Sequence, residues 1–75
     1  MFSFQISLKE VDDVKHFVSV TAQISCDVEI KAGPYLVDGK SIMGIFSLDR
    51  TSPVEVLVHG DQHTADSLKA AVGGF

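Results

Sequence analysis

Apolar and polar residues alternate along this chain with two different periods, and the changes of period mark its elements. Phe2, Phe4, Ile6 and Leu8 alternate with Ser3, Gln5, Ser7 and Lys9, the pattern of a half-buried strand. From Asp12 onward Val14, Phe17, Val18, Thr21 and Ile24 recur at spacings of three and four, which predicts a helix with one apolar face. Asp12 or Asp13 is placed to accept from the free amides of its first turn, and both favour the positive end of its dipole. His16, Ser19 and Gln23 fall off the apolar stripe and are expected to meet water.

Period two returns at Cys26, Val28 and Ile30, with Asp27, Glu29 and Lys31 on the other face. Gly33-Pro34 signals a turn, Tyr35 to Val37 a short partner strand, and Asp38-Gly39 its close. Ser41 then opens a short helix. Thr51-Ser52-Pro53 breaks the chain, and Val54, Val56 and Val58 predict a fourth strand. After the turn at Gly60-Asp61, Thr64 to Val72 reads as a last helix whose Leu68, Ala71 and Val72 share a face, ended by Gly73-Gly74. The order is βαββαβα. One-sided strands and one-sided helices predict an α+β, open-faced two-layer sandwich: a four-stranded, mostly antiparallel sheet with three helices on one face. Residues 1–75 are read as a single domain, too short for two cores.

Composition narrows the function classes. With 45% hydrophobic and 21% charged residues the chain belongs to globular proteins rather than disordered ones. Its net charge of −4 and the absence of any basic run argue against direct binding of nucleic acid. No apolar stretch is long enough for a membrane span, and the alternating, then acidic start is unlike a signal peptide. A single cysteine, Cys26, cannot form an internal disulfide, so a cytoplasmic location and a small buried thiol are expected.

Little in the sequence recommends catalysis. His59, Asp61 and His63 stand at alternate positions around a turn and could in principle ligate zinc or nickel, but short polar turns often hold such residues. Asp12 and Asp13 are adjacent on a helix, about 100° apart, and do not form an acid–base pair. There is no glycine-rich phosphate loop and no nucleophile–histidine pair. No catalytic residue, cofactor or metal site is expected, and the chain is not read as an enzyme.

The stretch GKSIMGIFSLD, Gly39 to Asp49, is apolar nearly all round. If Ile45 and Leu48 face the sheet, Met43 and Phe46 lie opposite and Ile42 at the edge, with nothing in so small a domain to cover them. Together with the element order, this stretch resembles HPr, the histidine-containing phosphocarrier of the bacterial sugar phosphotransferase system. The match is specific from about Gly39 to Leu48, where Lys-Ser-Ile-Met-Gly opens the second helix in HPr proteins regulated on a serine. By element order it extends over nearly the whole chain.

The resemblance implies a bacterial, cytoplasmic protein and an exposed patch of Lys40, Ile42, Met43 and Phe46 that docks other proteins. It makes Ser41 a target of HPr kinase. Some members lack the carrier histidine and serve as corepressors for a transcriptional regulator, an arrangement this chain resembles in outline. HPr places its carrier histidine at the start of the first helix, in a Gly-x-His-x-Arg-Pro context. Counting back from Ser41, that histidine falls at Glu10, and the arginine and proline at Asp12 and Asp13; matching FQI instead implies a loop about three residues shorter. Either way LKEVDDVKHF has no histidine at the helix start, no arginine and no proline. His16 lies a turn inside the helix, where amides are already bonded.

The expectation is therefore a non-catalytic HPr-like regulatory or adaptor protein acting through the Ser41 helix. Its alternatives are a phosphocarrier using a non-standard residue and a small structural or dimeric subunit. Partners are expected to be other proteins, with HPr kinase or a transcriptional regulator the ones the resemblance implies, on a monomer or homodimer.

Overall fold

The computed structural model describes residues 1–73, so Gly74, expected to help end the last helix, lies outside the described residues. Strands β1 (Phe2–Ile6), β2 (Asp27–Ala32), β3 (Tyr35–Asp38) and β4 (Val54–His59) form one sheet in the order β1-β4-β2-β3. Every pairing is antiparallel. Helices α1 (Val11–Thr21), α2 (Ile42–Phe46) and α3 (Gln62–Val72) complete the βαββαβα order.

The register shows how the alternation builds the core. Phe4 lies opposite Val56, Ile6 opposite Val54, and Val56 in turn opposite Ile30. All are buried, as are Val28 and Val58. Their other neighbours in the core are Val14 and Phe17 of α1, Ile45 of α2, and Ala65 and Leu68 of α3, in one continuous cluster. The intervening strand residues (Ser3, Gln5, Asp27 and Lys31 among them) are exposed on the uncovered face. Among the described residues no helix is long and apolar enough to cross a membrane.

Element boundaries depart from the sequence reading at the helix ends. The N-cap of α1 is Glu10, not Asp12 or Asp13, and Asp13 folds back so that its Oδ2 accepts from the Glu10 amide at 3.1 Å. An acid three residues into a helix satisfies a free amide in this reciprocal way. Ile24 lies beyond the end of α1 but still packs on the core. Helix α3 begins at Gln62 rather than Thr64, because Asp61 caps it, accepting from the Thr64 amide at 2.8 Å. Gly73, in the left-handed region at φ 75°, ends it.

The turn into α2 is fixed from two sides. Gly39 is buried, and its amide donates to the Val28 carbonyl at 2.6 Å. A Cβ at this position would stand 2.8 Å from Val28 Cγ1 and 2.9 Å from its carbonyl oxygen, so only glycine fits without displacement. From the other side, fully buried Thr21 donates its hydroxyl to the Gly39 carbonyl at 2.9 Å.

Candidate functional site

Helix α2 is five residues long, Ile42 to Phe46, and Leu48 reaches the core from the segment that follows it. Ser41 is its N-cap, with Oγ accepting from the Gly44 amide at 3.1 Å. Gly44 fits closely here, since a Cβ on it would lie 3.2 Å from that oxygen. Ile45 is fully buried, whereas Met43 is 76% exposed. Ile42, expected at the edge, and Phe46, expected opposite the core beside Met43, are both half-buried and pack on the rim of the core. Fewer than two turns cannot hold a separate outer face, and α1 packs alongside. The exposed apolar surface is thus centred on Met43, with Ile42 and Phe46 as its shoulders.

Lys40 is half-buried, and its ammonium donates to the Ile24 carbonyl past the end of α1. Its own amide donates to Asp38 Oδ1 at 2.9 Å, closing a turn that holds a carboxylate three residues before Ser41. The sequence places a lysine beside Ser41, but its charge is committed to the α1 end. Asp49, at the far end of the segment, is held below the usual carboxylate range by hydrogen bonds from the Thr51 hydroxyl and amide.

Sequence reasoning passed over Arg50, the only arginine. Its Nη1 donates to the carbonyls of Leu8 at 2.7 Å and Lys9 at 3.1 Å, and its guanidinium lies 5.2 Å from the Phe46 ring centroid. One side chain therefore ties the end of α2 to the segment that leads into α1. That segment is where the carrier histidine of the resemblance would lie, and here it runs Lys9-Glu10 into the capped start of α1. The only available signal was weak: a lone arginine just after a short helix.

His16, read as a surface residue without a role, is exposed but has one. Its Nε2 lies 2.9 Å from the Ala71 carbonyl, which can only accept, so that nitrogen carries the proton and donates. The bond satisfies a carbonyl of the last turn of α3, which has no partner within its own helix. The His59, Asp61 and His63 triplet is not assembled around one point. His59 Nε2 pairs with Glu29 Oε1 across β4 and β2, while the Asp61 carboxylate caps α3 and is lowered in pKa, first by the Thr64 amide. Among the described residues no group of three or more His, Cys, Asp or Glu is placed to hold a metal ion. Cys26 is half-buried at the edge of the core against Gly60, where an added Cβ would meet its Sγ at 2.7 Å.

An all-antiparallel sheet in the order β1-β4-β2-β3, with helices after β1, β3 and β4, defines the open-faced βαββαβα sandwich. Solved structures with this architecture and closely matching coordinates are HPr phosphocarrier proteins, and the chain is HPr-like in fold. HPr-C-His from Thermoanaerobacter tengcongensis superposes with a TM-score of 0.78 at 22% identity, over 97% of this chain and 92% of that one. Phosphocarrier protein HPr from Bacillus anthracis str. Ames gives 0.71 at 26% identity, over 93% and 92%. No protein-family model matches the sequence, and no curated protein sequence matches it significantly.

Proposed function

We propose that this chain is a non-catalytic regulatory or adaptor protein related to the phosphoenolpyruvate-dependent sugar phosphotransferase system, working in the cytoplasm of a bacterium through α2. The observation that carries the proposal is Met43, 76% exposed on a helix that otherwise packs inward, two residues from Ser41. A flexible, polarizable side chain standing clear of the surface, with half-buried apolar shoulders, is suited to docking partners of more than one shape. The phosphotransferase relation is supported by the HPr-like fold and by the Lys40-Ser41-Ile42-Met43-Gly44 run at the right helix start.

The reading as non-catalytic rests on the start of α1. There the chain has Glu10 and Asp13 bonded to each other, with Asp12 between them, and no basic residue within the first turn. Carboxylates repel a phosphoryl group. His16 has its Nε2 engaged by Ala71.

Phosphorylation of Ser41 adds about −1.5 to −2 charge and replaces a hydroxyl cap by phosphate oxygens that can take over the Gly44 amide. So short a helix contributes little dipole, Lys40 is turned to Ile24, and Asp38 is close. The charge is therefore expected to act on partner choice beside Met43 rather than on stability. Two reactions test the proposal. With phosphoenolpyruvate and enzyme I the protein should gain no acid-labile phosphate; transfer to His16, abolished in His16→Ala, would reverse the reading. With HPr kinase and ATP it should gain one phosphate that Ser41→Ala does not; no uptake under conditions that label an HPr removes the regulatory role of Ser41 and leaves only the cap.

A further inference from the structure

A cleft of about 730 Å³ opens between the β2–β3 hairpin and the segment that joins α2 to β4. Sites for small molecules span about 300–1,000 Å³. On the hairpin side Tyr35 is 67% exposed and Leu36 53%, with Pro34 beside them. Leu48 and Pro53 line the other side. Among the lining residues Asp49 carries the only charge. Its Oδ1 accepts from both the amide and the hydroxyl of Thr51, at 3.1 and 2.6 Å. Those bonds fix the carboxylate and leave Oδ2 without a partner among the described residues. Arg50, next in the chain, does not neutralise it: the guanidinium turns to Phe46 and to the Leu8 and Lys9 carbonyls, none of which lines the cleft.

We propose that this cleft binds a small organic cation, an ammonium or guanidinium group carried on an aromatic or alkyl body. The one charge lining it is negative, so an anion would be repelled and a neutral ligand would gain nothing from Asp49. Leu36, Leu48 and the two prolines match the apolar body, and the Tyr35 ring offers the cation a second attraction through its face. The polar groups favour a ligand rich in donors. Pro34 and Pro53 have no amide N–H, and the Ser47 hydroxyl already donates to the Gly44 carbonyl at 2.6 Å. The same prolines weigh against a peptide as occupant, because an extended chain binds through a row of main-chain bonds and two lining residues have no donor for one. Little ordering is needed, since Gly33, in the left-handed region at φ 59°, and Pro34 set the turn while Thr51 holds Asp49. The inference goes beyond the proposed docking function and does not rest on it, for Met43 does not line the cleft.

Phenethylamine, phenethyl alcohol and hydrocinnamate share a phenyl body and differ in charge. Each is titrated into isotope-labelled protein, with amide NMR shifts as the readout. Phenethylamine should saturate with a dissociation constant of about 1–10 mM and move the amides of Gly33, Tyr35, Leu36 and Asp49. The alcohol should bind more weakly and the carboxylate more weakly still. Asp49→Asn keeps an oxygen for Thr51 but removes the charge, and Tyr35→Leu keeps apolar area but removes the ring. Each should weaken phenethylamine by about 2- to 5-fold and leave the alcohol unmoved. A capped Lys-Phe dipeptide, which carries the cation on a peptide backbone, should bind no tighter than phenethylamine. The inference is overturned if the amine shows no saturable shift up to about 20 mM or moves other amides instead. It is equally overturned by an alcohol or carboxylate bound as tightly as the amine, by an amine affinity that either variant leaves unmoved, or by tighter binding of the dipeptide, which would assign the cleft to a protein's side chain.

Discussion

Replacing Thr21 by valine exchanges a hydroxyl for a methyl of nearly the same size at a site with no solvent exposure. The shape of the core is kept, but the donor to the Gly39 carbonyl is lost. That bond measures 2.9 Å, against 3.3 Å for the alternative within α1 to the Val18 carbonyl, so the Gly39 contact is the one at stake. The Gly39 carbonyl lies in a buried turn, and water does not reach it in place of the hydroxyl. An orphaned buried acceptor of this kind costs about 1–3 kcal/mol. Unfolding entropy of about 2.1 cal/mol/K per residue implies roughly 6 °C in Tm per kcal/mol for a chain of this length, hence a fall of about 6–19 °C. Thermal unfolding followed by far-UV circular dichroism, with urea midpoints as a check, gives the number. Thr21→Ser keeps the donor, so it should retain more stability than Thr21→Val although it buries less. A valine variant that melts at or above the wild-type temperature would refute the reasoning, since the methyl would then outweigh the bond.

Three further outcomes are expected. Ser41→Ala removes the acceptor for the Gly44 amide and should cost about 0.5–2 kcal/mol in denaturant titration, while Ser41→Asp should recover much of it. Arg50→Ala frees the Leu8 and Lys9 carbonyls and uncovers the Phe46 ring, so amide exchange should quicken both before α1 and around α2; Arg50→Lys should not restore protection, since an ammonium cannot keep both carbonyl bonds and the flat contact with the ring. Asp61, with its pKa lowered by the Thr64 amide, contributes stability present above its unfolded value of about 3.9 and lost as pH falls through the lower folded value; the acid limb of stability should therefore be shallower in Asp61→Asn when urea midpoints are measured from about pH 5 down to pH 2.

The sheet was legible in the sequence because a period of two admits only one burial pattern. Phe4, Ile6, Val28, Ile30, Val54, Val56 and Val58 all take the buried side that alternation assigns them. The helix starts were less legible, since several neighbouring polar residues compete to cap: Glu10 prevails over Asp12 and Asp13, and Asp61 moves the start of α3 two residues ahead of Thr64. Placing Leu48 on the same helical face as Ile45 runs α2 past its end at Phe46, and so sets Phe46 outside when it is half-covered. What the sequence could not disclose lies in long-range polar contacts. Thr21 counts as one more member of an apolar stripe until Gly39, 18 residues on, receives its hydroxyl, and Arg50 carries no local sign of carbonyls 41 and 42 residues away.

The brevity of α2 has a consequence for how its surface can be read. Five residues cannot sustain a helix in water, because nucleation costs more than so few bonds return. Its geometry is supplied by distant parts of the chain: Val28 and Thr21 hold Gly39, the core holds Ile45, and Arg50 couples its far end to the entrance of α1. A linear peptide copied from Gly39 to Asp49 would contain every side chain of the patch and none of its arrangement. A partner docking on Met43 beside Ser41, as proposed, would thereby distinguish the finished protein from a nascent or damaged copy, and the surface would double as a certificate of folding.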